Sequence, residues 1–396
     1  MKMKKFGSIF LASAMLAGVL AGCGDEGGSS DNGGSSDGDT IKIGGNLELS
    51  GAVASYGSSI NDGAELAVEE INAAGGINGK KIEYIVKDNK SESAEATSVA
   101  INLITKEEVV AMVAPATSGN VQATVQIANE NKVPIVTASG TNELITVNKD
   151  ESLNEYAFRT CFIDPFQGIV AANFATNDLK AKNVAIYTDS SSDYAKGLAA
   201  AFKTQLEANG GKVVKEEAYV ADDVDFKSTL TNLKSANPDF IFIPGYYEEV
   251  GLIVKQAREL GITAPLMGAD GWDSPTLLEL AGADALNNTY ITNHYSSGDP
   301  DAKIQDFVKA FEAENGAKPN AFHALGYDTI YYLKDAIERA GDEVTGETIA
   351  KALADTKDLE LITGTFTVDE KHNPVKSATV LEYVDGEQVF NSKVNP

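Results

Sequence analysis

The chain has 396 residues and a strong excess of acidic side chains, with 58 Asp and Glu against 32 Lys and Arg and a formal net charge of -26. This balance argues against nucleic acid and anionic lipid as binding partners, because both are recognised by basic surfaces. The length exceeds what one hydrophobic core usually organises, so we expect two domains of ordinary size.

The amino terminus has the pattern of a bacterial lipoprotein signal. Three lysines precede an apolar run, 9–20, that is too short to cross a bilayer and fits a cleaved secretory peptide. The sequence LAGC then follows at 20–23, and the thiol of Cys23 would receive the lipid. We therefore expect 1–22 to be a signal peptide and Cys23 to be a lipid anchor. A chance cysteine behind an ordinary secretory signal is the alternative.

Residues 23–39 are predicted to join this anchor to the folded part as a flexible linker. The stretch 24–39 contains Gly, Ser, Asp, Asn and Glu alone, and such a segment cannot bury enough apolar surface to offset its ordering entropy. The fold should then begin near Thr40, outside the cytoplasm and close to the membrane. With Cys23 lipidated, Cys161 is the one remaining cysteine, so no intramolecular disulfide is expected.

From residue 41 onward, strand-like apolar runs alternate with segments of helical periodicity. Strands are predicted over 41–47, 81–87, 109–113, 133–137, 184–188, 213–219, 240–244 and 264–267. Helices are predicted over 58–73, 94–105, 121–131, 166–179, 194–209, 226–235 and 249–260. This alternation predicts an α/β protein with parallel sheets covered by helices on both faces. Two successive sets of such elements predict two lobes.

Motifs typical of enzymes are scarce. His294, His323 and His372 lie far apart without metal-ligand spacing, and we find no phosphate-binding loop, acyl-transfer elbow or dinucleotide fingerprint. We therefore expect no cofactor, no metal and no catalysis. A secreted hydrolase that uses a pair of carboxylates is the alternative from the enzyme class. A ligand-sensing ectodomain is a third interpretation, but it needs a membrane-spanning or effector segment downstream, which we do not expect.

Two loops rich in small hydroxyl residues follow neighbouring predicted strands. The letters ATSGN at 116–120 follow the strand 109–113, and TASGT at 137–141 follows the strand 133–137. Ligands of parallel sheets bind at the carboxyl ends of the strands, and hydroxyls beside free N–H groups at a helix start suit a carboxylate. Helix capping is the alternative for any one such residue. The two loops together favour a binding site.

Several segments carry a family resemblance: SGAVASYG at 50–57, EINAAGGI at 70–77, SG at 118–119, Arg159 with Asp164, QG at 167–168, DY at 193–194, GYY at 245–247 and GADG at 268–271. On these segments, the chain resembles the periplasmic binding proteins of the leucine/isoleucine/valine type, which are solute receptors of ABC transporters. Its anchor and linker are similar to the Gram-positive lipoprotein form of that family. The match runs from about residue 41 to the carboxyl terminus.

The resemblance implies a two-lobe, type I periplasmic-binding-protein fold. Each lobe would be a parallel sheet flanked by helices, with three hinge crossovers between the lobes. The amino-terminal lobe would comprise 41–162 plus 292–362, and the carboxyl-terminal lobe 163–291 plus 363–396. The protein would be a monomer, attached to the membrane through its lipid alone, and would deliver its ligand to the permease subunits of an ABC transporter.

The resemblance also implies a ligand class, an α-amino acid enclosed between the lobes. Ser118 and the backbone around Ser139, Gly140 and Thr141 would hold the ligand's carboxylate and ammonium from the first lobe. Asp270 would supply the counter-charge to the ammonium from the second. The family often has glutamate at this position, so the shorter side chain here requires a different ammonium placement or tighter closure.

Aromatic residues would form the wall of the side-chain pocket. The resemblance assigns this role to Tyr56, Tyr194, Tyr246 and Phe322, and Trp272 lies two residues from the counter-charge. Phe322 and Trp272 could equally belong to the core. Burial of a leucine-sized group contributes roughly 1.5 to 3 kcal/mol, and one methylene about 1 to 3 kcal/mol, so leucine, isoleucine and valine should all bind. An aromatic or small polar amino acid, or an amide, is the alternative.

Overall fold

The computed structural model describes residues 40–395, so the predicted signal peptide, Cys23 and the predicted linker lie outside the described residues. The strands are β1 Thr40–Leu47, β2 Lys81–Asp88, β3 Ala111–Ala114, β4 Ile135–Thr137, β5 Ala157–Arg159, β6 Asn183–Asp189, β7 Lys212–Tyr219, β8 Phe240–Phe242, β9 Leu266–Gly268, β10 Thr289–Asn293, β11 Leu359–Leu361, β12 Gly364–Val368, β13 Pro374–Val375, β14 Ala378–Val384 and β15 Glu387–Val394. The α-helices are α1 Ala54–Ala73, α2 Ser93–Thr105, α3 Ser118–Asn131, α4 Asp164–Asn177, α5 Asp193–Ala208, α6 Lys227–Ser235, α7 Tyr247–Glu259, α8 Pro275–Ala281, α9 Ala283–Leu286, α10 Ala302–Asn315, α11 Ala321–Ala340 and α12 Gly346–Ala354. Two short 3-10 helices cover Glu143–Ile145 and Asp270–Trp272.

The strands form two large sheets and a small one. The first sheet has the order β2-β1-β3-β4-β5, and all its neighbouring strands are parallel. The second has the order β15-β14-β10-β9-β8-β6-β7 and is parallel from β10 to β7. The small sheet joins β11, β12 and β13 in antiparallel fashion. The predicted parallel α/β architecture is confirmed for the elements up to β9.

The second sheet departs from the prediction at one edge, where β14 runs antiparallel to β10 and β15 antiparallel to β14. The two-residue turn between β14 and β15 consists of Asp385 and Gly386, both with positive φ. An Asp-Gly pair is a strong signal for such a hairpin because its backbone twist matches that of antiparallel strands. This hairpin completes the second sheet.

Each large sheet lies between layers of helices. Successive residues of β3 point to opposite faces: Ala111 and Val113 pack in a cluster with α1 and α11, whereas Met112 and Ala114 pack with α2 and α3. In the second sheet, α4 and α5 cover one face and α6 and α7 the other. The prediction of helices on both faces is confirmed.

The helices α1 and α11 approach each other closely through two glycines. A Cβ atom added at Gly63 would overlap the carbonyl oxygen of His323, and one added at Gly326 would overlap the carbonyl oxygen of Ile60. Because side chains are absent at these points, the two backbones can pack directly. This contact sets the relative position of Tyr56 on α1 and Phe322 on α11.

The chain passes between the layers of the two large sheets at three places: between β5 and α4, between β10 and α10, and between β13 and β14. The exact lobe boundaries assigned from the sequence remain a prediction. No helix within residues 40–395 is both long enough and apolar enough to cross a bilayer.

Candidate functional site

The two hydroxyl-rich loops lie side by side at the carboxyl end of the first sheet. The last residues of β3 and β4 are paired in the parallel register, so the following loops are neighbours. Ser139 Oγ donates a hydrogen bond of 2.9 Å to the carbonyl oxygen of Ala116, and the backbone N–H of Asn142 donates one of 3.2 Å to Ser118 Oγ. The predicted proximity of the two loops is therefore confirmed, and hydrogen bonds fix them to each other.

A buried carboxylate holds the first of these loops in place. Glu48 follows β1 and has no exposed surface. Its Oε2 accepts from the N–H of Ala116 at 2.9 Å. Its Oε1 accepts from the N–H and the hydroxyl of Thr117, both at 3.2 Å, and from Nδ2 of Asn120 at 2.9 Å. A buried charge requires such compensation by hydrogen bonds, and here the donors all come from one loop. Glu48 was not among the residues predicted from the sequence.

Asp270 lies directly beyond β9, in the 3-10 helix at the carboxyl end of the second sheet. Its Oδ1 accepts from Nε2 of Gln167 at 2.9 Å and from the hydroxyl of Tyr194 at 2.7 Å. Its Oδ2 lies 3.0 Å from Nε2 of His294. Among residues 40–395, no lysine or arginine forms an ion pair with this buried carboxylate. This carboxylate is held by hydrogen bonds and is suited to receive a cation.

His294 is uncharged at neutral pH in this environment. Its burial lowers the pKa of the imidazole below the ordinary value of 6.5, although the neighbouring Asp270 acts in the opposite direction. The Nε2–H of the imidazole then donates a hydrogen bond to Asp270, because a carboxylate can only accept hydrogen bonds. The neighbouring sequence carries no partner pattern for this histidine. Its partner is 24 residues away in the chain.

Most of the predicted ligand-binding residues surround one small cavity between the two sheets. Seven of them line it: Tyr56, Ser118, Ser139, Tyr194, Tyr246, Asp270 and Phe322. Ala116, Thr117 and Gly271 complete the lining. The cavity thus has the serine loops and Asp270 in its walls, with aromatic rings between them.

The aromatic wall consists of two stacked pairs. The rings of Tyr56 and Phe322 stack with centroids 4.5 Å apart, and those of Tyr194 and Tyr246 stack at 5.1 Å. An edge-to-face contact of Tyr56 with Tyr246 at 5.8 Å joins the pairs. Phe322 therefore contributes to the cavity wall as well as to the core, which its sequence alone left open.

The hydroxyl groups of Tyr56 and Tyr194 form hydrogen bonds with backbone and carboxylate groups at the edge of the aromatic wall. The Tyr56 hydroxyl donates to the carbonyl oxygen of Gly271 and accepts from the N–H of Tyr247 at 3.2 Å. The Tyr194 hydroxyl donates to Asp270 and accepts from the N–H of Gly271 at 2.9 Å. Burial raises the pKa of both tyrosines well above 10, so both act as neutral donors. The rings themselves line the cavity.

Three predicted site residues do not line the cavity. Gly140 accepts a hydrogen bond of 2.8 Å through its carbonyl oxygen from Nη1 of Arg159, and the carbonyl oxygen of Thr141 accepts from the N–H of Asp164 at 3.0 Å. Trp272 is fully buried in the core beneath the site, and its Nε1 donates to the carbonyl oxygen of Ile243 at 3.0 Å. Gly140 and Thr141 shape the second loop from behind, whereas Trp272 supports the 3-10 helix.

Hydrogen bonds bridge the elements of the two sheets around the cavity. Asn142 Nδ2, beside the second serine loop, donates to the carbonyl oxygen of Asp193 at the start of α5 at 3.1 Å. At the start of α1, the hydroxyls of Ser55 and Ser274 lie 2.8 Å apart, and the Tyr247 hydroxyl donates to the carbonyl oxygen of Ala52 at 3.0 Å. These bridges enclose the cavity from two directions.

Comparison with known families identifies the class of protein that this fold and cleft define. A family model described as periplasmic binding protein matches residues 40–388. The chain belongs to the periplasmic binding protein family.

Individual relatives extend this result. The chain is similar to the branched-chain amino acid transporter substrate-binding protein LivJ of Streptococcus pneumoniae, solved in complex with isoleucine, with 42% identity, a TM-score of 0.84 and coverage of 90% of this chain and 100% of that one. It is 33% identical to Leu/Ile/Val-binding protein homolog 3 of Brucella melitensis, over 80% of this chain and 84% of that protein. A solute-binding protein of Rhodopseudomonas palustris in complex with benzoate is 26% identical, with a TM-score of 0.81 over 90% of this chain and 97% of that one.

Proposed function

We propose that the protein is the substrate-binding component of an ABC importer and that it captures an α-amino acid with a branched aliphatic side chain by closure of two lobes. One observation carries the proposal. The buried anion Asp270 and the Ser118 and Ser139 loops line a single cavity with aromatic walls. An α-amino acid has a cation, an anion and an apolar side chain, and each of these finds a complementary surface there.

The charges of the site match those of a zwitterion. Asp270 lacks a cationic partner among the described residues and would pair with the ligand's ammonium group. The helix α3 begins at Ser118, and the side chain of its N-cap residue Thr117 makes no capping bond, because its hydroxyl donates to Glu48. N–H groups in the first turn of a helix bind anions. They would receive the ligand's carboxylate, assisted by the hydroxyls of Ser118 and Ser139.

The apolar part of the cavity favours a small hydrophobic side chain. Its rings belong to Tyr56, Tyr194, Tyr246 and Phe322. Burial of a leucine-sized group against such a wall contributes roughly 1.5 to 3 kcal/mol. The isoleucine complex of the pneumococcal relative and the name of the Brucella relative support the same ligand class.

The benzoate complex of the Rhodopseudomonas relative suggests a second candidate, an aromatic carboxylate. Benzoate has no cation to pair with Asp270, and bringing an uncompensated anion near a buried carboxylate is unfavourable. We therefore favour an amino acid. An aromatic or small polar amino acid, or an amide, is the alternative within the same site.

Calorimetry and small-angle X-ray scattering of the purified protein test this proposal together. We expect leucine, isoleucine and valine to bind with affinities within about two orders of magnitude of one another, since one methylene contributes about 1 to 3 kcal/mol. Leucine should also reduce the radius of gyration, because a ligand that contacts both lobes favours the closed state. Benzoate is the control. Binding of benzoate but not of leucine, or leucine binding without compaction, would contradict the proposal.

We propose further that Cys23 carries a lipid that holds the protein on the outer face of the cell membrane. This rests on the LAGC motif and the polar linker 24–39. Replacement of Cys23 by alanine should release the protein from the membrane fraction while leaving leucine affinity unchanged, because the linker separates the anchor from the fold. Fractionation of cells that express the wild type and Cys23→Ala measures this. Membrane retention of the variant would refute the lipid anchor.

A further inference from the structure

His294 connects the Asp270 carboxylate to one of the three passages between the sheets. It directly follows β10, and its side chain is only 1% exposed. The imidazole stacks on the ring of Phe162, in the passage from β5 to α4, with centroids 3.7 Å apart and an angle of 22°. Its Nε2 lies 3.0 Å from Asp270 Oδ2, and its buried Nδ1 has no hydrogen-bond partner among residues 40–395. One ring nitrogen is thus committed to Asp270 and the other is free.

The charged surroundings of His294 are well defined. Asp270 attracts a proton to the imidazole, while Lys376 repels it. The Nζ of Lys376 is itself held by the carbonyl oxygen of Thr160 at 3.2 Å and by the hydroxyl of Thr363. Lys376 is in turn attracted by the buried Asp328, and the buried Asp164 and Asp273 both interact with Asp270. Other charged groups line a neighbouring cavity with His294 and are at least partly exposed: Asp299, Asp301, Lys303, Glu360 and Lys393. Asp270 is therefore the charged group that dominates the behaviour of the imidazole.

We propose that His294 is the positioning residue for Asp270 and that, when it takes a second proton at Nδ1, the resulting imidazolium competes with the ligand's ammonium group for this carboxylate. This inference rests on the proposed function, in which Asp270 binds the ammonium. A neutral imidazole aligns the carboxylate with one hydrogen bond and leaves its negative charge available. An imidazolium neutralises that charge and repels the incoming cation.

Thermodynamic linkage determines whether a lower pH raises or lowers the affinity for the ligand. The pKa of His294 is lowered by burial, and an ammonium group beside Asp270 would lower it further, since two cations would then share one carboxylate. Protonation and amino acid binding therefore oppose each other, and each weakens the other by the same factor. Affinity should fall as the pH drops through the pKa of His294. The ligand would be released more readily in an acidified environment.

Leucine affinity as a function of pH separates this role from a structural one. The variant His294→Gln keeps an N–H donor but cannot take up a proton. As the pH falls below the pKa of His294, we expect wild-type affinity to drop by up to about tenfold per pH unit beyond any drop in the variant. A residue with a merely structural role would lower affinity by the same factor at every pH. Parallel pH profiles of the two proteins would overturn the proposal.

Nuclear magnetic resonance of ¹⁵N-histidine-labelled wild-type protein provides an independent test that does not depend on the folding of the variant. The chain has three histidines, so His323→Gln and His372→Gln suffice to assign their signals. We expect His294 to be the Nε2–H tautomer without ligand and its pKa to fall when leucine is added. An unchanged pKa at saturating leucine would overturn the proposal. If the wild type binds no leucine at any pH, the proposed function is wrong. The tautomer of His294 without ligand still tests its positioning role, and an Nδ1–H tautomer would refute that role.

Discussion

Replacement of Asp270 by asparagine is expected to reduce the affinity for leucine at least about thirtyfold. The ligand's ammonium group would lose its counter-charge in a buried site, and truncation of one partner in such a pair costs about 2 to 5 kcal/mol. Isothermal titration calorimetry measures this directly. Thermal stabilisation by leucine should shrink in parallel, because it scales with the ratio of ligand concentration to Kd.

The fold should tolerate this substitution. The Oδ1 of asparagine can still accept from Gln167 and Tyr194, which now donate to Asp270 Oδ1. On the other side, the amide N–H₂ can donate to His294 Nε2 if the imidazole carries its proton on Nδ1, a nitrogen that has no partner among the described residues. Thermal unfolding without ligand should therefore show little change, or a gain where a buried charge has been removed.

Asp270→Glu is the matched control because it keeps the charge and lengthens the side chain by one methylene. We expect it to retain much of the leucine affinity. If Asp270→Asn binds leucine as tightly as the wild type does, Asp270 is not the ammonium's partner. The zwitterion assignment and the proton competition inferred for His294 would then both be wrong.

Local periodicity was sufficient to predict the strands and helices up to β9, with the exception of the short strand β5. From β1 to β8, every strand except β4 is followed by an α-helix, and this alternation can be recognised in the sequence. The helix α1 is typical: its apolar face was recognised over 58–73, but the helix begins four residues earlier, at Ala54. The alternating pattern ends after β9. The antiparallel hairpin of β14 and β15 had a local signal in Asp385 and Gly386, which the analysis did not use.

The site was predictable where its residues follow strand ends and not where they depend on distant partners. The two serine loops could be located because parallel neighbouring strands end at the same edge of a sheet. Glu48 carries no local pattern, since its partner Ala116 is 68 residues away. The role of His294 likewise depends on Asp270, which comes into contact with it only through tertiary packing. Trp272 lies near Asp270 in sequence, but its ring points into the core because a 3-10 turn separates the two side chains.

Replacement of Glu48 by alanine is expected to weaken both the fold and ligand binding. Four donors of the first serine loop, on Ala116, Thr117 and Asn120, would lose their acceptor in a buried environment. Each unsatisfied buried donor costs about 1 to 3 kcal/mol, so even with partial rescue by water we expect the free energy of unfolding to fall by about 3 kcal/mol or more. Denaturant titration measures this loss. Leucine affinity should fall more than about tenfold, because the first turn of α3 would no longer be fixed in its binding geometry.

The series Glu48→Ala, Glu48→Gln and Glu65→Ala separates loop anchoring from a general loss of acidic charge. The glutamine can accept three of the four hydrogen bonds through Oε1, but its N–H₂ then faces the N–H of Ala116, so a smaller loss of about 1 to 3 kcal/mol is expected. Glu65 is an exposed glutamate of α1, and its replacement should leave stability and affinity nearly unchanged. Hydrogen exchange at the amides of Ala116 and Thr117 should accelerate in the order Glu65→Ala, Glu48→Gln, Glu48→Ala. Wild-type exchange and affinity in Glu48→Ala would mean that the serine loop holds its shape without this carboxylate.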